Sequence, residues 1–284
     1  MMQQKRIALI NDITGFGRCS IAVELPLISA LKVQACPFPT AILSAHTGFS
    51  EYFFDDYTKS MHSYMANWQK LHLQFDGILT GFLGSEQQID IVVDFIKKFK
   101  LAVPGKQPLL IVDPVMGDNG RLYASYTPKL CQEMKKLLTH ADVLTPNLTE
   151  ACNLIDIKYP AGGLISNDAL YSICQNLAAR RKDYDGQNMK IIITGISRGQ
   201  NIGNYIYEND LGKMIESART GSEHSGTGDA FVAIVAASLV KNESIIAAVS
   251  KAAEFIRKSL LYTESLNIPW NEGLCFEEYL TTLK

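Results

Sequence analysis

One aspartate near the end of the chain sits among residues able to do charge chemistry: SGTGDAFVA, Ser225 to Ala233. Gly226, Thr227 and Gly228 directly precede Asp229, and an apolar run follows it. Small residues opening a helix expose successive backbone N–H groups. Together with the positive end of the helix dipole these make a site for an anion. Asp229 then has two readings. It is a capping carboxylate, worth about 1 kcal/mol, or it is a general base beside a bound phosphate, taking the proton of an attacking hydroxyl. In the second case the N–H groups stabilise charge developing on the transferred oxygens.

Further candidates stand at the ends of apolar runs. NDITGFGRCS places Asp12 ahead of Gly15 and Gly17, as a turn or cap carboxylate or as a ligand; its G-x-G pair lacks the third glycine of a dinucleotide fingerprint. TAILSAHTGFSEYFFDDY supplies Thr40, Ser44, His46 and Thr47, although a single histidine more often packs than catalyses. Phe82 of LTGFLGS either fills core or lies against a flat ligand. In VDPVMGDNGRLY, Asp113 ends a run at Pro114, and Gly117–Asp118–Asn119–Gly120 reads as a mobile loop, a connector or a lid. LTPNLTEA carries Thr145, then Asn147 or Thr149 as a helix cap with Glu150 in the first turn. Glu150 suits the helix dipole there, or it reaches Mg²⁺ directly or through water, since Mg²⁺ takes hard oxygen ligands.

Other chemistries find no pattern. No serine lies in a G-x-S-x-G elbow. Cys19, Cys36, Cys131, Cys152, Cys174 and Cys275 form no C-x-x-C pair or metal-spaced cluster, and read as reduced thiols.

The elements that must position these residues alternate. Lys5–Asn11, Val33–Thr40, Phe75–Gly81, Pro108–Asp113, Ala141–Pro146 and Lys190–Gly195 read as strands, mostly continuously apolar, as parallel strands buried on both faces are. Between them run helical periods. The clearest starts at Ser85 with Gln88 as a capping box and Ile89, Val92, Val93 and Ile96 on one face. NYIYENDLGKMIESA reads as an antiparallel hairpin about Asp210 and Gly212, and Ala179–Asn188 as a solvated helix end and loop. The expectation is one α/β domain over residues 1–284: a doubly wound, mostly parallel sheet flanked by helices, with a small antiparallel edge hairpin. In such a sheet ligands bind beyond the carboxyl ends of the strands, where the candidates lie.

With 284 residues and 47% hydrophobic content the chain can bury a sizeable core. A net charge of −2 gives no footprint for nucleic acid or an anionic membrane. No apolar run reaches membrane-spanning length, and MMQQKRIALIND lacks a signal-peptide core, so a cytoplasmic protein without membrane or nucleic-acid partners is expected.

Taken together, the segments resemble the ribokinase-like superfamily and its vitamin-kinase branch, typified by pyridoxal kinases. SGTGDAF is similar to the superfamily's G-x-G-D, DPVMGDNG to the D-P-V-[ML]-G of pyridoxal and hydroxymethylpyrimidine kinases, and TPNLTEA to their T/A-P-N-x-x-E. LTGFLGS and FPTAILSAHTGF are similar to S/T-G-Y-L-G-S and V-Q-F-S-N-H-T-G-Y of pyridoxal kinases. The resemblance implies transfer of the ATP γ-phosphoryl group to the 5′-hydroxymethyl of a B6 vitamer, in a homodimer responsive to K⁺. It implies Asp229 as base and Gly226, Thr227 and Gly228 as anion hole. Asp113, Thr145, Asn147, Glu150, Thr194 and Gly195 would attend ATP, with Asp113 and Glu150 on Mg²⁺. Asp12, Thr40, His46, Phe82 and Tyr123 would face the vitamer, and the loop from Asp118 to Tyr123 would cover the substrates. Two residues depart from the branch: Asp12 replaces a serine and Phe82 a tyrosine, which bears on vitamer choice. The alternatives are a hydroxymethylpyrimidine kinase and a catalytically silent B6- or nucleotide-binding protein.

Overall fold

The apolar runs become buried strands. The computed structural model describes residues 4–102, 105, 107–182 and 188–283. In chain order the elements are β1 (Arg6–Thr14), α1 (Ile21–Ala30), β2 (Gln34–Leu43), β3 (Phe54–Asp56), α2 (Thr58–Lys70), β4 (Gly77–Thr80), α3 (Glu86–Ile96), β5 (Leu109–Val112), β6 (Gly117–Asp118) and β7 (Arg121–Leu122). Then come α4 (Pro128–Leu138), β8 (Val143–Leu144), α5 (Leu148–Leu154), α6 (Asn167–Ala178), β9 (Lys190–Arg198), β10 (Asn201–Glu208), β11 (Leu211–Ala218), α7 (Thr227–Val240) and α8 (Ile245–Ser265). Contacts group these into two compact units: the residues up to Gly81 with those from Ala218 onward, and Phe82–Ser217.

In the first unit the strand order is β4-β1-β2-β3. β1 runs parallel to β4 and β2, and the short β3 adds an antiparallel strand that the sequence reading lacks. Ile7, Ala8, Leu9 and Ile10 are fully buried in succession, as a parallel strand covered on both faces requires. α7 packs against α1 and α8. Every residue from Ala230 to Val240 is buried, which explains why its sequence shows no polar face. The first turn of α7, and Asp229 with it, is therefore held rigidly.

The second unit orders its strands β5-β8-β9-β10-β11, parallel from β5 to β9 and antiparallel from β9 to β10. The expected hairpin forms, but its turn falls at Asn209 and Asp210, whose φ values of 52° and 58° suit a type I′ turn. The Gly117–Gly120 cluster is no open loop. β6 pairs antiparallel with β7, and Asn119 and Gly120 turn between them at φ 50° and 77°. β9 does not stop at Gly195. It continues to Arg198 through a bulge at which Thr194 and Gly195 oppose Asn204, and Gly195 takes φ 70°. Ser85 caps α3 as expected, accepting the Gln88 N–H, but the Gln88 side chain accepts from Gly84 N–H rather than closing a box on Ser85. α6 ends at Ala178; residues 183–187 of the expected solvated stretch lie outside the described residues.

Among the described residues no helix is long and apolar enough to cross a membrane, and all six cysteines are free thiols.

Candidate active site

The first unit gathers a carboxylate cluster at the end of β1 and the start of α7. Gly226, at φ 78°, occupies the N-cap of α7, with Thr227, Gly228 and Asp229 as the first three helical residues. Asp229 is therefore not the cap. Its half-buried carboxylate accepts hydrogen bonds from the Ser20 N–H and the Asn11 side chain. Burial, reinforced by the charge of Asp12, pushes Asp229 up to about 6. A group so tuned is ionised at neutral pH yet basic enough to take a proton. Thr227 Oγ1 donates to the His224 carbonyl at 3.2 Å, which fixes the loop before the helix.

Asp12 is only 5% exposed. Ser20 Oγ donates to its Oδ1 at 2.6 Å and Thr14 Oγ1 to its Oδ2 at 2.7 Å. Burial raises its pKa, and those hydrogen bonds pull it down. Asn11 lies beneath: Nδ2 donates to buried Glu24 at 3.0 Å, and Oδ1 accepts the Asp12 N–H at 2.9 Å. Asn11, Ser20 and Glu24 are absent from the sequence candidates. Their signal was the polar content of NDITGFGRCSIAVEL, where a buried glutamate interrupts an apolar helix.

Also in this unit, His46 donates its backbone N–H to Phe16, and its Nδ1 accepts the Gly48 N–H at 3.1 Å, which leaves Nε2 to carry the ring proton. Burial lowers its pKa, opposed by the charge of Asp12, and the ring meets Trp270 edge-on at 5.9 Å. Thr40 lies in β2, fully buried, with its carbonyl accepting from the Tyr57 N–H.

The second unit holds the other carboxylates. Asn147 caps α5 in a full capping box: it accepts the Glu150 N–H at 3.0 Å, and Glu150 Oε2 accepts the Asn147 N–H at 2.8 Å. Glu150 Oε1 also accepts the Met116 N–H at 3.1 Å, and Asn147 Nδ2 donates to the Gly117 carbonyl at 2.7 Å. The box thus anchors the hairpin β6–β7 as well as the helix. Thr145 Oγ1 donates to Asp113 at 3.2 Å. Glu150, 4% exposed, is raised well above the carboxylate range by burial first and by Asp113 second. Two carboxylates that oppose each other's ionisation are short of positive charge, and hard oxygen donors suit Mg²⁺, which keeps part of its water shell. Asp113 and Glu150 fit that ion. Thr194 bridges to Asn147, donating its N–H to the Pro146 carbonyl, while a side chain at Gly195 would meet open space. Phe82 is half-buried, its ring 6.2 Å from that of Tyr126 and edge-on to it, and Tyr123 is 47% exposed.

Glu150→Ala leaves the Asn147 and Met116 N–H groups without their acceptor. The expected loss is about 2–6 kcal/mol, from about 1–3 kcal/mol per orphaned buried donor. Urea unfolding reads it, and an unchanged midpoint sinks the anchoring role.

The sequence profile of the phosphomethylpyrimidine kinase family matches residues 21–272. A Bacteroides thetaiotaomicron protein assigned as a phosphomethylpyrimidine kinase is 35% identical in one crystal form, with a TM-score of 0.92 over 99% of this chain and 94% of that one. Its orthorhombic form, with pyridoxal, gives 34% identity and a TM-score of 0.89 over 99% and 96%. Pyridoxal kinase from Lactobacillus plantarum shares the fold, with a TM-score of 0.89 at 24% identity over 99% and 97%. A hydroxymethylpyrimidine/phosphomethylpyrimidine kinase of Rhizobium meliloti is 25% identical over 90% of this chain and 91% of its own. A Schizosaccharomyces pombe protein assigned as a pyridoxal kinase is 35% identical over 29% of this chain and 23% of its own.

Proposed function

Because the chain belongs to the phosphomethylpyrimidine kinase family, whose members are phosphotransferases acting on a hydroxyl group, we propose that it moves the γ-phosphoryl group of ATP to the 5′-hydroxymethyl of a B6 vitamer. The observation that carries this reading is Asp229, raised to about 6 in the first turn of a helix whose cap is a left-handed glycine.

In this reading Asp229 takes the proton of the acceptor hydroxyl as its oxygen attacks phosphorus. The N–H groups of Gly226, Thr227 and Gly228, which helix geometry leaves without intrahelical partners, would face the charge growing on the phosphoryl oxygens. Asp113 and Glu150 would hold Mg²⁺, and Asn147 and Thr145 orient those carboxylates. Bound Mg²⁺ supplies positive charge to the phosphate oxygens. Asp12, His46 and Phe82 are the residues assigned to the acceptor ring. With Nδ1 taken by Gly48, His46 offers Nε2–H as a donor.

Pyridoxal in the Bacteroides thetaiotaomicron relative favours a B6 acceptor, whereas the Rhizobium meliloti relative favours hydroxymethylpyrimidine as the second reading. Initial rates with pyridoxal, pyridoxamine, pyridoxine and hydroxymethylpyrimidine, with ATP and Mg²⁺ and with or without K⁺, decide between them. The expectation is kcat/KM for one B6 vitamer about ten-fold or more above the pyrimidine, the scale on which pocket contacts separate similar substrates. Turnover confined to the pyrimidine overturns the B6 reading. No turnover of any of the four, in a chain that binds ATP, overturns the kinase reading on these acceptors.

A further inference from the structure

Ser20 directs each of its three polar groups to a different target. Its carbonyl starts α1, accepting the Val23 and Glu24 N–H groups at 3.0 Å. Its N–H goes to Asp229, and its hydroxyl goes to Asp12 at 2.6 Å. A serine at a helix N-cap ordinarily turns its hydroxyl onto the first turn, but this one makes no such bond. Its backbone sits at φ 53° and ψ −139°, a conformation that glycine adopts far more readily than serine. A strained residue persists where its surroundings over-determine it. Four bonds do so here, and only one of them needs a side chain.

We propose that Ser20 is a positioning residue that ties Asp12 to Asp229, holding the base with its N–H and Asp12 with its hydroxyl, so that Asp12 sets the orientation and charge environment of the base. The proposal rests on the reading of Asp229 as the general base. The link belongs to a larger network: Asn11 bonds Glu24 and Asp229 with its amide and accepts the Asp12 N–H, and Thr14 closes the far oxygen of Asp12. The titratable groups facing the pair are Cys19 in the loop before α1, Glu24 on α1 through Asn11, and His46 from the segment after β2. Asp12 opposes the ionisation of Asp229, whereas the hydroxyl of Ser20 favours the ionised form of Asp12. Loss of that hydroxyl keeps Asp12 protonated to higher pH. A more neutral Asp12 opposes the ionisation of Asp229 less, so the base ionises at lower pH.

Two measurements on the full chain test this. The first is the pH dependence of kcat/KM for Ser20→Ala, Ser20→Gly and Asp12→Asn. All three are expected to move the acid limb to lower pH, Asp12→Asn by about one unit, the scale of a coupled pair. Both serine variants are expected to lower kcat about ten- to a hundred-fold, the scale of a misplaced catalytic group, with KM for ATP within about two-fold. Glycine relieves the backbone and alanine does not, so equal limb shifts in the two variants assign the effect to the hydroxyl. A wild-type profile in Ser20→Gly overturns it. The second measurement is carbon-13 titration of the aspartate carboxyls without substrates, assigned with Asp12→Asn and Asp229→Asn. Independent titration of the two, in a chain that still needs Asp229, sinks the link alone. Coupled titration with an acid limb indifferent to Asp12→Asn sinks the base reading, and the proposal with it.

Discussion

Asp229→Asn is expected to lower kcat by about 10²- to 10⁴-fold while ATP and the acceptor still bind, the range over which a general base contributes. The variant keeps the shape of the side chain and removes its basicity. The wild-type acid limb belongs near pH 6, where burial and Asp12 place the Asp229 carboxyl, with the macroscopic value shared by the coupled pair. The sign follows from the role: a base must be ionised, so kcat/KM rises with pH through that value and then levels. Stability runs the other way. A carboxyl whose folded pKa is raised contributes stability below its ordinary value of 3.8, and that contribution is lost as pH rises through about 6. Asparagine has no such titration. Thermal unfolding above pH 7 should therefore show Asp229→Asn no less stable than the wild type, and its lost turnover is then chemical. Turnover within about ten-fold of the wild type at pH 8, short of the weakest general-base contribution, moves the base to another residue.

Where burial follows from composition, the sequence was enough. Ile7–Ile10 and Ile191–Ile193 are continuous apolar runs, and they are fully buried. Turn chemistry was legible but misread. The Asn119–Gly120 pair is a hairpin signal, and reading it as a loop ignored that both residues tolerate positive φ. The bulge at Gly195 was not legible, because a glycine after an apolar run marks the end of a strand as readily as a kink within one. In the proposed site, residues with a short motif around them, Asp229 and Glu150 among them, were singled out by the sequence. Those whose importance lies in long-range bonds were not. Asn11 joins β1, α1 and α7, and Ser20 joins β1 to α7, through contacts between residues distant in the chain. No local spacing encodes such a junction; only the packing of α1 on α7 creates it.

Two glycines at the start of α7 should respond to alanine in opposite ways. At Gly226 the backbone takes φ 78°, and an added Cβ would fall far inside contact distance of the Arg18 carbonyl oxygen and 3.1 Å from its carbon. That carbonyl has little room to retreat. It accepts from Ser225 Oγ at 3.3 Å, and on another side a Cβ at Gly273 would stand 2.6 Å from the same oxygen. Ser225 is itself strapped to the C-terminal segment, donating its N–H to the Trp270 carbonyl and accepting the Leu274 N–H, both at 3.0 Å. Gly226→Ala therefore combines a left-handed penalty of about 1–2 kcal/mol with a backbone clash, and is expected to cost about 3 kcal/mol or more. Gly228 meets nothing within 4 Å and takes no positive φ. Alanine there gains helix propensity, about 0.5–1 kcal/mol, so folding is expected to hold or improve. Yet a methyl group added in the first turn of α7, with nothing within 4 Å of it, crowds the phosphoryl oxygens if the first-turn N–H groups form the anion hole. Gly228→Ala should thus lose about ten- to a hundred-fold in kcat/KM, as a misplaced reacting group does, with an unchanged or higher melting temperature. Melting curves and initial rates measured on both variants separate the two roles. Full activity in Gly228→Ala would remove the first turn of α7 from the phosphate site, whatever Gly226→Ala does to the fold.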